Sequence, residues 1–126
     1  MTDGAARPTV HTCNLDEVPV VEVGEGVVQR VLAGGARGDG SPLLLGVTTV
    51  AARRTSRLIE HDTAEVAHVL SGSGWMVTDS AEHAFRAGDA ILIDAGCWHA
   101  IRAGEAPVEM LYVFPSPDAP PTRQHP

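Results

Sequence analysis

"IEHDTAEVAHVLSGSGWMVTD", residues 59 to 79, decides the fold. Two short runs of strand-forming residues, Glu65 to Leu70 and Trp75 to Asp79, stand on either side of Gly72-Ser73-Gly74. Each run is too short for a helix, neither shows a 3.6-residue period, and a glycine turn divides them, which is the signature of short β-strands. Two histidines and two glutamates, His61, His68, Glu60 and Glu65, are set into the same stretch.

The pattern continues in both directions. Upstream, "VPVVEV" (18–23), "GVVQRVL" (26–32) and "LLLGVTTVA" (43–51) are Val- and Leu-rich, separated by Gly24-Glu25-Gly26 and by the loop "GGARGDGSP" (34–42). Downstream, "HAF" (83–85) leads through "AGD" (87–89), read as a hairpin turn, into "AILID" (90–94), read as a buried strand. "WHAIR" (98–102) and "VEMLYVF" (108–114) follow. About nine short strands with glycine-rich turns predict an all-β sandwich or barrel.

The chain of 126 residues, 44% hydrophobic and 20% charged, is one soluble-type domain. The small, polar start (1–9) and the proline-dense end (115–126) predict flexible segments around an ordered domain at 10–114. A net charge of −7 argues against nucleic acid or an anionic membrane as partner. With no span-length apolar stretch and no signal-like start, the cytoplasm is the expected compartment. Two cysteines, Cys13 and Cys97, make no disulfide framework.

Strand side chains alternate faces, so His61 and Glu65 share parity and can point into a barrel together, while His68 and Glu60 point away. His99, on a later strand, can supply a third donor. Two imidazoles and a carboxylate on one side of a cation suit non-haem Fe(II) or Zn²⁺. The other reading is a polar cluster held by its own hydrogen bonds, but a glutamate buried in a barrel is costly without a partner, which favours the metal. Cys97 shares parity with His99 and either looks into the same cavity or fills space beside it. Asp94 either orients a histidine or caps the turn before Gly96, and the turn is favoured. Arg53, Arg54 and Arg57 precede the His61 strand; Arg57 at the mouth either clamps an anionic substrate or lies on a solvated edge. His83 reads as a solvated residue before a turn.

The spacings His61-x3-Glu65-x6-Gly72 and Gly88-x5-Asp94-x-Gly96-x2-His99-x3-Ala103 resemble the two motifs of the cupins, and the resemblance covers roughly residues 43 to 114. It implies a double-stranded β-helix, a small jelly-roll barrel, and a homodimer; the Val-rich strand at 18–23 is a candidate for the pairing, because an unpaired barrel edge needs covering. It also implies one divalent transition metal (Fe, Zn, Ni or Mn) on His61, Glu65 and His99; in a metal-free variant Glu65 and His99 are the catalytic residues, serving directly as acid and base. Ile59 stands where the family has its first histidine, Arg53 where the first motif has glycine, Asp94 where the second has proline, and Ala103 where it closes on asparagine. Ile59 is therefore read as lining the substrate space, with Arg57 and Cys97.

What this implies for function is a metal-dependent enzyme acting on a small organic molecule inside the barrel. Isomerase, cyclase, lyase and dioxygenase-type chemistry are all admitted, because fold does not fix reaction. The alternative is a non-catalytic binding or sensor cupin with a degenerate metal site. No DNA-binding helical domain accompanies the barrel, which favours the enzyme.

Overall fold

The computed structural model describes residues 7–126. The described chain forms eleven strands: β1 (Val21–Gly24), β2 (Val27–Ala33), β3 (Leu44–Val50), β4 (Ile59–His61), β5 (Glu65–Ser71), β6 (Ser73–Thr78), β7 (Glu82–Arg86), β8 (Ala90–Ile93), β9 (His99–Ala103), β10 (Val108–Phe114) and β11 (Thr122–Gln124). They pair antiparallel into two sheets, ordered β1-β2-β3-β10-β5-β8 and β11-β4-β9-β6-β7. No α-helix occurs among the described residues. The fold is the expected all-β jelly roll.

Alternation explains the core. Along β10 every second residue is buried, so Val108, Met110, Tyr112 and Phe114 face inward. On β5, Ala67 and Val69 face inward while Val66, His68 and Leu70 face outward. These inner faces meet Met76 of β6, Phe85 of β7 and Ala103 of β9 from the other sheet. Val50 and Val108 are wholly buried. A second cluster of Leu44, Tyr112 and Phe114 fills the other end.

The corners between sheets need backbone that only glycine adopts easily. Gly72 has φ of 82° and joins β5 of the first sheet to β6 of the second. A side chain there would fall on the carbonyl oxygen of Pro107. The turn read from Gly72-Ser73-Gly74 is therefore a crossing between layers. The expected hairpin at Ala87-Gly88-Asp89 is corrected in the same way, since β7 and β8 lie in different sheets. β8 is also not a buried strand: it is an outer edge, with Leu92 68% exposed. The opposite edge of that sheet is β1, where Val21 is half exposed.

The C-terminal end differs from expectation too. The flexible segment foreseen at 1–9 lies mostly outside the described residues, and Arg7, Pro8 and Thr9 carry no regular structure. Residues 115–126, expected as a flexible tail, return across the barrel mouth and add β11 to β4 in register: Thr122 opposite His61, Arg123 opposite Glu60, Gln124 opposite Ile59. Prolines 117, 120 and 121 shape the approach, and the strand needs only the three residues that follow.

Candidate metal centre

Three of the expected site residues converge. His61 closes β4 in one sheet, Glu65 opens β5 in the other, and only Asp62-Thr63-Ala64 separates them. The shared parity of His61 and Glu65 is therefore incidental. The chain turns a corner between them, so the two side chains approach from facing layers. His99 begins β9, directly opposite Ile59 of β4, and faces the same interior. His61 Nε2 lies 3.3 Å and His99 Nε2 3.5 Å from Glu65 Oε1. The two imidazole rings are 5.1 Å apart. The donor atoms all lie within 4.8 Å of one another.

The outer ring nitrogens settle which way the inner ones present themselves. His99 Nδ1 is 2.8 Å from the carbonyl oxygen of Cys97, an atom that only accepts, so Nδ1 carries a hydrogen. His61 Nδ1 is 2.8 Å from Thr122 Oγ1, whose own hydroxyl donates to the carbonyl of Pro120 at 2.9 Å. That oxygen accepts, and His61 Nδ1 donates to it. In the neutral rings both Nε2 atoms are then lone-pair acceptors, aimed at a carboxylate that also only accepts. Glu65 Oε1 is accordingly a buried oxygen with no hydrogen-bond partner.

Three acceptors turned on one point, with no donor among them, need a cation there. A proton on one imidazole serves one pair and leaves the other ring's lone pair facing the carboxylate. A divalent ion about 2.1 Å from nitrogen and oxygen ligands places neighbouring donors roughly 3–3.5 Å apart, which is the spacing from Glu65 Oε1 to each imidazole nitrogen. The donor set fits a transition metal. Without an ion at that point, burial acts to raise the Glu65 carboxyl, and hydrogen bonds from imidazoles that then carry hydrogen on Nε2 outweigh it and hold it below the usual carboxylate range. In that ion-free state burial likewise acts to lower His99, and Glu65 and the Cys97 carbonyl, both accepting from the protonated ring, outweigh it and raise the imidazole.

The three donors line a cavity of about 260 Å³. Its walls are mostly apolar, from Val27, Ile59, Ile101, Met110 and Phe114, with polar groups from Gln29, Thr48, Arg57 and Gln124. Ile59 thus stands beside His99 in the cavity, an apolar wall where a further donor would be within reach. Arg57 is exposed at the mouth, and its Nη1 donates to Gln124 Oε1 at 3.3 Å.

Cys97 is not among the donors. It lines a second cavity of about 330 Å³, with His83, Phe85, Ile91 and Asp94, that meets the first at Met76, Ile93 and His99. Burial and then the carboxylates of Asp79 and Asp94 push its thiol up. His68 is exposed on the outer face. Trp98 sits edge-on to His125 of the tail, 5.2 Å between ring centroids. Thr122 and Gln124 are site residues that the sequence reading missed; the one signal was a run without proline, Thr122-Arg123-Gln124, inside a proline-rich tail.

Residues 46–114 match the family described as "Cupin domain", more than half of the chain. This protein is a cupin. Among solved structures the cupin barrel is similar to the polyketide cyclase RemF from Streptomyces resistomycificus, with a TM-score of 0.80 and 20% identity over 92% of this chain and 85% of that one. It is similar to Rru_A2000 from Rhodospirillum rubrum, a cupin-2 domain, with a TM-score of 0.77 and 21% identity over 96% and 84%. A third is Bacillus subtilis oxalate decarboxylase, whose structure was studied for its Mn(II) centres, with a TM-score of 0.74 and 19% identity. The cupin covers 87% of its own length there but 30% of that longer chain. Identities at this level establish the fold. No curated protein sequence is similar enough to this cupin to show a closer relationship.

Proposed function

We propose that this cupin is a metal-dependent enzyme that acts on a small organic molecule within the barrel. One divalent transition ion, among Fe, Zn, Ni and Mn, is held by His61, Glu65 and His99. The observation that carries this reading is the buried, partnerless Glu65 Oε1 faced by two imidazole nitrogens whose other nitrogens are already committed as donors. The similarity to a polyketide cyclase and to an oxalate decarboxylase supports small-molecule chemistry as the use of the cavity.

When bound, the ion supplies Lewis-acid polarisation of a substrate oxygen, and three protein ligands leave positions open for that oxygen. The chain does the rest. Ile59, Ile101, Met110 and Phe114 exclude water and hold an apolar body. Arg57 places a fixed positive charge at the mouth, suited to a carboxylate or enolate oxygen. In a metal-free form, Glu65 and His99 would instead serve directly as acid and base.

The test is metal content with His99→Ala as control. After loading, the wild type is expected to retain close to one equivalent by inductively coupled plasma analysis, and His99→Ala a small fraction of it. Less than about a tenth of an equivalent in the wild type would sink the metal reading. A cupin that holds metal and ligand yet turns nothing over would instead be the sensor or carrier described above.

A further inference from the structure

We propose that Thr122, on the C-terminal strand β11, is a positioning residue of the metal centre, so that the site is completed by chain lying beyond the cupin match. The inference deepens the metal reading and rests on it. The family match ends at residue 114, and within it His99 takes its orienting acceptor from the neighbouring Cys97 carbonyl. His61 finds its acceptor only in the segment that follows.

The geometry is specific. Thr122 lies directly opposite His61 in the β4–β11 ladder. Residues paired in that way have Cβ atoms about 4.5–5.5 Å apart on one face, which brings a hydroxyl within reach of an imidazole. The resulting relay runs from His61 Nδ1–H to Thr122 Oγ1 at 2.8 Å and from the Thr122 hydroxyl to the buried Pro120 carbonyl at 2.9 Å. Because the hydroxyl is already spent on Pro120, it can only accept from the ring. His61 is thereby fixed in the form whose Nε2 lone pair faces Glu65. Partners of this kind set the tautomer and orientation of ligating histidines, and losing one typically costs about 10–100-fold in metal affinity.

The strand is latched on both sides of the relay. The Arg123 guanidinium binds Glu60, and its Nη2 binds Asp62 Oδ1 at 2.8 Å, so it grips the two residues flanking His61. Asp62 N donates to the Pro121 carbonyl at 3.2 Å, and His125 N to the Leu58 carbonyl at 2.9 Å. Pro120, Thr122 and Gln124 also form one wall of the cavity. The segment therefore orients a metal ligand and bounds the substrate space.

Two measurements on the full chain test the inference. Long-range proton–nitrogen NMR of the metal-free protein at about pH 8, where imidazoles are largely neutral, reports which His61 nitrogen carries the hydrogen. Nδ1–H is expected in the wild type and in Thr122→Ser, with loss of that preference in Thr122→Val. An unchanged Nδ1–H signature in Thr122→Val overturns the inference whether or not any metal binds.

The second measurement is Zn²⁺ affinity by competition with a chromophoric chelator. Thr122→Val is expected to weaken it about 10–100-fold, and Thr122→Ser to remain within about threefold of wild type. If His99→Ala loses binding while Thr122→Val keeps it, Thr122 has no positioning role and the metal reading survives. If the wild type binds no better than His99→Ala, the metal reading fails, and the tautomer measurement alone decides on Thr122. Should Thr122→Val not fold, Arg123→Glu sets a carboxylate against Glu60 and Asp62 while keeping the hydroxyl. It is expected to loosen β11 and shift both readouts in the same direction; no shift in either counts against the strand.

Discussion

Arg53 has a φ of 62°, left-handed backbone that side chains rarely adopt. It occupies the position where the cupin motif has glycine, the residue that adopts this conformation without steric cost. Its amide still donates to the Gly104 carbonyl at 2.9 Å, and its side chain reaches Glu105 at 3.5 Å. Both partners of that ion pair are strongly exposed, so it offsets little. Left-handed backbone costs an ordinary residue about 1–2 kcal/mol, whereas glycine gives back roughly 0.5–1 kcal/mol through greater freedom when unfolded. Arg53→Gly is therefore expected to stabilise by about 0.5–1 kcal/mol, read as a higher urea midpoint at unchanged slope. A lower midpoint would mean that the Arg53 side chain contributes more than its exposure indicates. At this scale His61, Glu65 and His99 were legible in the sequence, because imidazoles and carboxylates inside a strand pattern are chemically conspicuous. Thr122 was not legible. A threonine in a proline-rich tail has no distinguishing mark until the ladder sets it opposite His61.

Among the elements, the nine longer strands follow the short apolar runs between turns because alternation and glycine punctuation are local properties. β4 and β11 are three residues each and owe their existence to each other and to β9, so no local pattern marks them. The glycine turns were visible as turns, but a sequence does not say whether a turn folds a strand back in its own sheet or carries it to the other. That distinction decides how His61 meets Glu65, and it is a tertiary one. Gly72 shows the physical demand at such a corner: φ of 82°, with the Pro107 carbonyl where a Cβ would be. Gly72→Ala meets both the left-handed cost and a backbone clash, and is expected to destabilise by about 2 kcal/mol or more. Chemical denaturation followed by tryptophan fluorescence checks it; a loss under about 0.5 kcal/mol would show that the corner can relax.

Over the whole molecule, the barrel grades from a dry valine-rich end to the polar metal end, and Tyr112 lies where the two meet. It is the chain's one tyrosine, and it is 5% exposed. Its ring crosses β3 where Gly46 leaves room, and it packs edge-on to Phe114 with centroids 5.7 Å apart. Burial, with the Glu65 carboxylate adding to it, pushes the phenol up to about 12 from its model-compound value of 10.0. In the unfolded chain the phenol loses its proton from about pH 10, while in the barrel it keeps it. Protons are then bound more tightly by the folded state, so the contribution is intact below pH 10 and is lost as the pH rises towards about 12. The expected loss is up to about 2.7 kcal/mol across that window. With one tyrosine the readout is unambiguous: absorbance near 295 nm should stay flat through pH 10 and rise only near 12, or together with loss of the β circular-dichroism signal. A phenolate midpoint close to 10 with the β signal intact would show water reaching Tyr112. The floor of the site would then be open, and the exclusion of water on which the proposed chemistry depends would be lost with it.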